Sequence, residues 1–200
     1  MTVEIGRTEL RLRFSFAAVV TVMLLFCEEK IVLMSLFSSV IHESGHLFFM
    51  FLSSEKINYV ELSLFGMRIE KQSTFQSYKK EALSAMGGII FNFIFAFVSV
   101  LICLISGKED FFVFAAVNGF VALINMIPVR VLDAGRCINC FLSQKYDEET
   151  AEKVLDIFSF VFTVFLDAVC ILYCSLIGFN ISLVAVTVYL NIITFKKKWS

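Results

Sequence analysis

His42, Glu43 and His46 lie in Ile41-His42-Glu43-Ser44-Gly45-His46-Leu47, and the chain has only 2 histidines. On a helix, residues four apart share one face, one turn apart. Both imidazoles can then hold one Zn²⁺, and the carboxylate beside them can take a proton from an attacking water. A histidine in an apolar run can equally be a packed or hydrogen-bonded interior residue, and H-E-x-x-H also turns up by chance. Here three ionisable groups share one apolar stretch, where such groups are costly and mark functional sites. The spacing predicts a zinc centre with one Zn²⁺ per chain.

A catalytic zinc takes three protein ligands and keeps a fourth position open. No histidine remains, so a carboxylate must be the third. One candidate closes the stretch Asn125-Met126-Ile127-Pro128-Val129-Arg130-Val131-Leu132-Asp133-Ala134-Gly135-Arg136. Pro128 is the only proline; it breaks a helix and leaves irregular backbone, tolerated near membrane depth only where protein or a wet cavity surrounds it. Asp133 follows, hemmed by apolar residues. An ordinary loop aspartate before a glycine turn explains it as well. Glu61 and Glu70 are other downstream carboxylates.

The elements that must position these groups are apolar. Of 200 residues, 58% are hydrophobic, including 24 Phe, and the mean hydropathy is +0.84. Soluble domains are nearer about 45–50% apolar, so the composition points to a membrane protein. A net charge of −1 gives no basic character and argues against nucleic acid as a partner. Apolar segments at 14–27, 31–53, 83–105, 111–127, 154–176 and 179–195 are expected as spans, several shorter than the ~20 residues usually needed. With the N-terminus cytoplasmic, 15 of the 17 Lys and Arg fall on the cytoplasmic side, leaving Lys30 and Lys108 outside. Both termini are then cytoplasmic in a multi-pass cell-membrane protein. Alternation over 57–75 predicts a short β segment on the cytoplasmic side. Residues 143–153 are a charged connection, read as a solvated loop in preference to the start of a helix. Cys137 and Cys140 form a C-x-x-C without a second pair or histidine, so two small residues at a helix start are favoured over a metal or redox site. Asp167 is an intramembrane carboxylate with no motif around it, and Asp156 lies near the start of the same segment. The expected fold is an all-α polytopic membrane protein with about six transmembrane helices and that β segment. It forms one domain over 1–200, with no separate C-terminal regulatory domain.

At three places the chain resembles the site-2 proteases, a family of intramembrane zinc metalloproteases. His42, Glu43 and His46 match the family's H-E-x-x-H. Asn125, Pro128 and Asp133 resemble its N-x-x-P-x-x-x-x-D-G. Gly88 and Asn92 look like its G-P-x-x-N. The compact form, with β structure after the first motif, is similar to the subgroup containing stage IV sporulation protein FB. Ala134 and Ile89 depart from the pattern, where the family usually has Gly and Pro. The resemblance implies His42, His46 and Asp133 as zinc ligands, Glu43 as the catalytic base, and Asn92 and Asn125 as substrate-binding groups. It implies hydrolysis of peptide bonds in or near transmembrane segments, with a membrane-tethered transcription factor or anti-factor as substrate. The alternatives are a zinc-binding or scaffold protein without catalysis, and an H-E-x-x-H protease of another family using Glu61 or Glu70.

Overall fold

A computed structural model describes residues 2–5, 8–12, 29–53, 57–63, 66–71, 77–179 and 181–196. The expected first span, 14–27, lies outside the described residues. In chain order the elements are β1 (Thr2–Ile5), β2 (Thr8–Leu12), α1 (Glu29–Leu52), β3 (Ile57–Ser63), β4 (Gly66–Lys71), α2 (Tyr78–Ser106), α3 (Glu109–Asn125), α4 (Asp133–Leu142), α5 (Glu148–Leu176) and α6 (Ile181–Lys196). Among the described residues, three helices are long and apolar enough to cross a membrane: Lys30–Leu52, Tyr78–Ser106 and Glu148–Leu176. The other two expected spans that fall on described helices are shorter, at 17 residues for α3 and 16 for α6.

Burial runs opposite to that of a soluble domain. Beside Leu155, Val32 and Val129, the largest fully buried side chains are polar, namely Asn92, Asn118, Thr163, Ser38, Ser84 and Ser159, whereas Phe51 is 82% exposed and Ile105 88%. This pattern suits helices solvated by lipid, where apolar side chains face outward and small or polar ones let helices approach and hydrogen-bond. Ser38 shows the effect: its hydroxyl donates to Asn118 Oδ1 at 3.1 Å, and the Asn118 amide donates to the Phe114 carbonyl at 2.9 Å.

The chain divides into two compact units, residues 1–122 and 123–200. The first holds the sheet, α1, α2 and most of α3. Its four strands lie in the order β1-β2-β3-β4. β3 and β4 form an antiparallel hairpin, with Leu62 opposite Met67. The β structure extends beyond the expected segment near 57–75. β1 and β2 pair antiparallel, and β2 runs parallel to β3 with Leu10 opposite Val60. Thr2-Val3-Glu4-Ile5 and Thr8-Glu9-Leu10-Arg11-Leu12 alternate with period two, a signal overshadowed by their arginines when those are counted only as membrane flanks.

The second unit holds the end of α3, then α4, α5 and α6. The loop expected at 143–153 ends early, because α5 begins at Glu148. Asp147 caps it by accepting the Thr150 N–H at 3.0 Å, and Glu148 and Glu149 complement the positive end of the helix dipole.

Candidate functional site

In the first unit α1 carries His42 and His46 on one face, both buried, with Glu43 half-buried between them. His46 Nδ1 donates to the Ser84 carbonyl of α2 at 2.7 Å. That bond places the proton on Nδ1, so Nε2 is the nitrogen that carries the ring's lone pair and can ligate. The two Nε2 atoms stand 3.2 Å apart, on rings nearly perpendicular to each other. Two nitrogens each about 2.0–2.1 Å from a tetrahedral zinc are roughly 3.3 Å apart. The histidine pair therefore fits zinc as two of its ligands.

This geometry depends on how closely α1 and α2 approach. A Cβ on Gly87 would lie 2.5 Å from the Gly45 carbonyl oxygen and 2.8 Å from a ring carbon of Phe49. The backbones are in direct contact, which only glycine at both positions allows. One residue on, a Cβ on Gly88 would lie 2.6 Å from both His42 Cε1 and His46 Nε2. Gly88 is thus the wall against which the two imidazoles rest. Lys80 closes the end of the helix pair, its ammonium donating to the Ser53 carbonyl just past α1 at 2.8 Å. One turn beyond Gly88, Asn92 is wholly buried, and neither its amide oxygen nor its nitrogen has a hydrogen-bond partner among the described residues. Buried polar groups are rarely left so, and a ligand or water commonly accounts for the exception.

In the second unit α3 ends at Asn125, three residues before Pro128, and Asn125 is half-buried. Tight turns follow: the Val129 N–H donates to the Ile127 carbonyl at 2.7 Å, and the Leu132 N–H to the Val129 carbonyl at 2.8 Å. Asp133 then opens α4 and is buried; the Arg136 guanidinium stands 3.8 Å from its carboxylate. Ala134 occupies the place where the resemblance leads one to expect glycine. Gly135 makes the tight approach instead, since a Cβ there would overlap the Val129 carbonyl.

His42 and His46 of the first unit and Asp133 of the second are each buried, and each carries a donor atom that suits zinc. Cys137 and Cys140 lie on the same helix as Asp133. Both are buried thiols outside any disulfide, and burial, with the nearby Asp133 carboxylate, raises the Cys137 pKa and keeps it protonated. Glu61 and Glu70 lie on β3 and β4, opposite Arg68 and Tyr59.

Among solved structures the chain is similar to the site-2 protease from Methanocaldococcus jannaschii, with a TM-score of 0.70 at 18% identity, covering 98% of this chain and 94% of that one. The chain has the site-2 protease fold. No protein-family model and no curated protein matches it. On the site-2 protease fold this chain places its H-E-x-x-H at the α1–α2 contact and its aspartate at the start of α4.

Several positioning residues escaped the sequence. Ser84 acts through its backbone carbonyl, which no side-chain motif can reveal. Gly45 and Gly87 could have been found as small residues on two apolar helices. Asp156 binds Arg130 at 2.7 Å. Asp167 accepts the Asn191 amide at 2.8 and 2.9 Å, in a cleft of about 660 Å³ between α5 and α6 that Cys170 and Cys174 also line.

Proposed function

We propose that this protein is an intramembrane zinc metalloendopeptidase that hydrolyses peptide bonds in or near transmembrane segments of membrane-tethered substrates. The observation that carries the proposal is the 3.2 Å separation of the two Nε2 atoms, with His46 held through Nδ1 by the Ser84 carbonyl. The site-2 protease fold supports it.

His42, His46 and Asp133 would hold the zinc. Bound there, the ion supplies Lewis acidity to the scissile carbonyl and makes water a stronger nucleophile. Glu43 takes the proton from the attacking water and delivers it to the leaving amine. Asn92 has an amide donor and an acceptor ready for one substrate peptide group, and Asn125 is the second substrate-binding residue. The substrate must be extended at the cut, because helical carbonyls and amides are already bonded to each other. A strand edge such as that of β4 can pair with an extended segment.

The topology proposed is six spans with both termini cytoplasmic, which puts the C-terminal end of α1 at the cytoplasmic face. His42 and His46 lie ten and six residues before Leu52, so about 15 and 9 Å deep at ~1.5 Å per residue. Water then enters from the cytoplasm, and cuts fall in the cytoplasm-proximal part of the substrate span. The substrate class that fits is a membrane-tethered transcription factor or anti-factor.

The test is co-expression with single-span candidate substrates, comparing the native chain with Glu43→Gln. The native chain should release a fragment whose new terminus, mapped by mass spectrometry, lies in the cytoplasmic half of the span. Glu43→Gln should keep its zinc and release none. Equal cleavage by both chains removes Glu43 as the base. A zinc-replete native chain that cuts none of a broad substrate panel favours a zinc protein without catalysis.

A further inference from the structure

Arg130 is the basic residue nearest the Pro128 break, and nothing in the motif around it calls for a charge. Its guanidinium binds two carboxylates of α5: one nitrogen reaches Glu152 at 2.5 Å and the other Asp156 at 2.7 Å. Its backbone N–H donates to the Ser159 hydroxyl at 2.9 Å, and Ser159 is almost wholly buried. Glu152, Asp156 and Ser159 stand at i, i+4 and i+7, so one face of α5 takes all three contacts. A single exposed ion pair contributes little. Here a planar fork is engaged at both nitrogens while its own backbone is fixed to a buried hydroxyl, which sets position as well as charge.

The contacts continue to Asp133. Val129, wholly buried, precedes Arg130 and accepts the Leu132 N–H. The Arg136 N–H donates to the Leu132 carbonyl at 3.1 Å, which starts α4. Gly135 rests on the Val129 carbonyl, where no Cβ would fit. Residues 129–136 therefore form one stiff piece, and Arg130 is its attachment to α5.

We propose that Arg130 is a positioning residue for Asp133: by fastening the loop before α4 to Glu152, Asp156 and Ser159, it sets where the Asp133 carboxylate stands and ties that carboxylate to α5. The proposal rests on Asp133 being a zinc ligand.

The experiment uses the full chain in lipid nanodiscs and compares native, Arg130→Gln, Arg130→Lys, the pair Glu152→Gln with Asp156→Asn, and the combination of that pair with Arg130→Gln. Two readouts are taken: zinc affinity, with the visible spectrum of the Co²⁺-substituted protein, and amide hydrogen exchange over 129–137. Arg130→Gln should weaken zinc binding about 10–100-fold, as losing a group behind a ligand does. It should also change the Co²⁺ band and speed exchange over 129–137, while exchange in α1 and α2 stays native. Arg130→Lys should recover part of the affinity. The combined variant should be no weaker than Arg130→Gln alone, because all three side chains act through one contact. Native zinc affinity in Arg130→Gln overturns the proposal, and so does unchanged exchange over 129–137. If the native chain binds no zinc, the proposed zinc centre falls, and with it the assignment of Arg130 as its positioning residue. Exchange then reports only whether Arg130 anchors the start of α4.

Discussion

Around His42 and His46 the chain is held by contact between backbones, whereas around Asp133 it is held by charge. On α1 and α2, Gly45 and Gly87 bring two helices together until their main chains touch, and Gly88 supports both rings. At the second place a guanidinium, two carboxylates and a hydroxyl tie a proline-broken loop to α5. The first device is steric, independent of ionic strength, and intolerant of a single added methyl. The second is graded, with Glu152 41% and Asp156 56% exposed, so it yields to solvent and salt. The two proposed histidine ligands are thus held rigidly and the proposed aspartate ligand adjustably.

The largest expected effect breaks the steric half. Gly88→Ala puts a Cβ into both imidazoles, and the purified protein should carry almost no zinc and lose proteolysis. Gly87→Ala should be nearly as severe, since overpacking costs about 1–3 kcal/mol and here the obstacle is backbone. Gly119→Ala on α3 is the control: its Cβ meets nothing, and stability should rise by about 0.5–1 kcal/mol from better helix propensity. Metal analysis and thermal melts measure all three. Full zinc in Gly88→Ala would show that the rings have room to move, and the contrast between the halves would fail.

Removing the proposed third ligand should come next. Asp133→Ala should lose most of its zinc yet keep the His46–Ser84 bond, because that bond lies wholly between α1 and α2. Zinc at full stoichiometry in Asp133→Ala removes Asp133 from the ligand set.

What the sequence made legible follows from what each contact uses. His42, Glu43 and His46 could be read as candidates because two imidazoles and a carboxylate fall within about one helical turn. Asp133 needed the resemblance, since a lone aspartate before a glycine looks like any loop. Asn92 was likewise carried by the resemblance; it is buried, with no partner for either amide atom among the described residues. Contacts made by the main chain, such as the Ser84 carbonyl and the Gly45–Gly87 approach, leave only faint marks in residue type. The strands at 2–12 were missed because three arginines nearby invited counting charge rather than period. The α5 start was missed because Asp147-Glu148-Glu149-Thr150 reads as solvated charge, although an aspartate three residues before a threonine N–H is also a helix cap.

Salt should separate the halves more gently. Raising ionic strength from ~0.1 M to ~1 M shortens the screening length from ~10 Å to ~3 Å. Exchange over 129–137 should then rise a few-fold while the α1–α2 contact keeps its native protection. Equal loosening of both regions would mean that charge also holds the histidine pair.

The smallest expected effect tests whether the charge-held half depends on all of α5 or only on the turns that bear Arg130's partners. Asp147 is an exposed cap whose pKa is lowered, chiefly by its hydrogen bond with Thr150. A lowered carboxylate pKa contributes stability at pH values above the unfolded-chain pKa, about 3.9, and that stability is lost as pH falls through the folded value below it. The first turn of α5 should therefore hold at neutral pH and fray only in acid. Asp147→Asn, still a good cap but without a titrating group, should remove the acid dependence and leave neutral exchange unchanged. Asp147→Ala should fray the turn at every pH. Glu152 lies one turn further in, so zinc affinity at neutral pH should stay within about twofold of native, because fraying is confined to the terminal turn. Amide exchange at Thr150 and Ala151, read beside zinc affinity, measures both. If Asp147→Ala weakens zinc as much as Arg130→Gln does, the hold on Asp133 runs through the whole of α5 rather than through one residue's grip on its second and third turns.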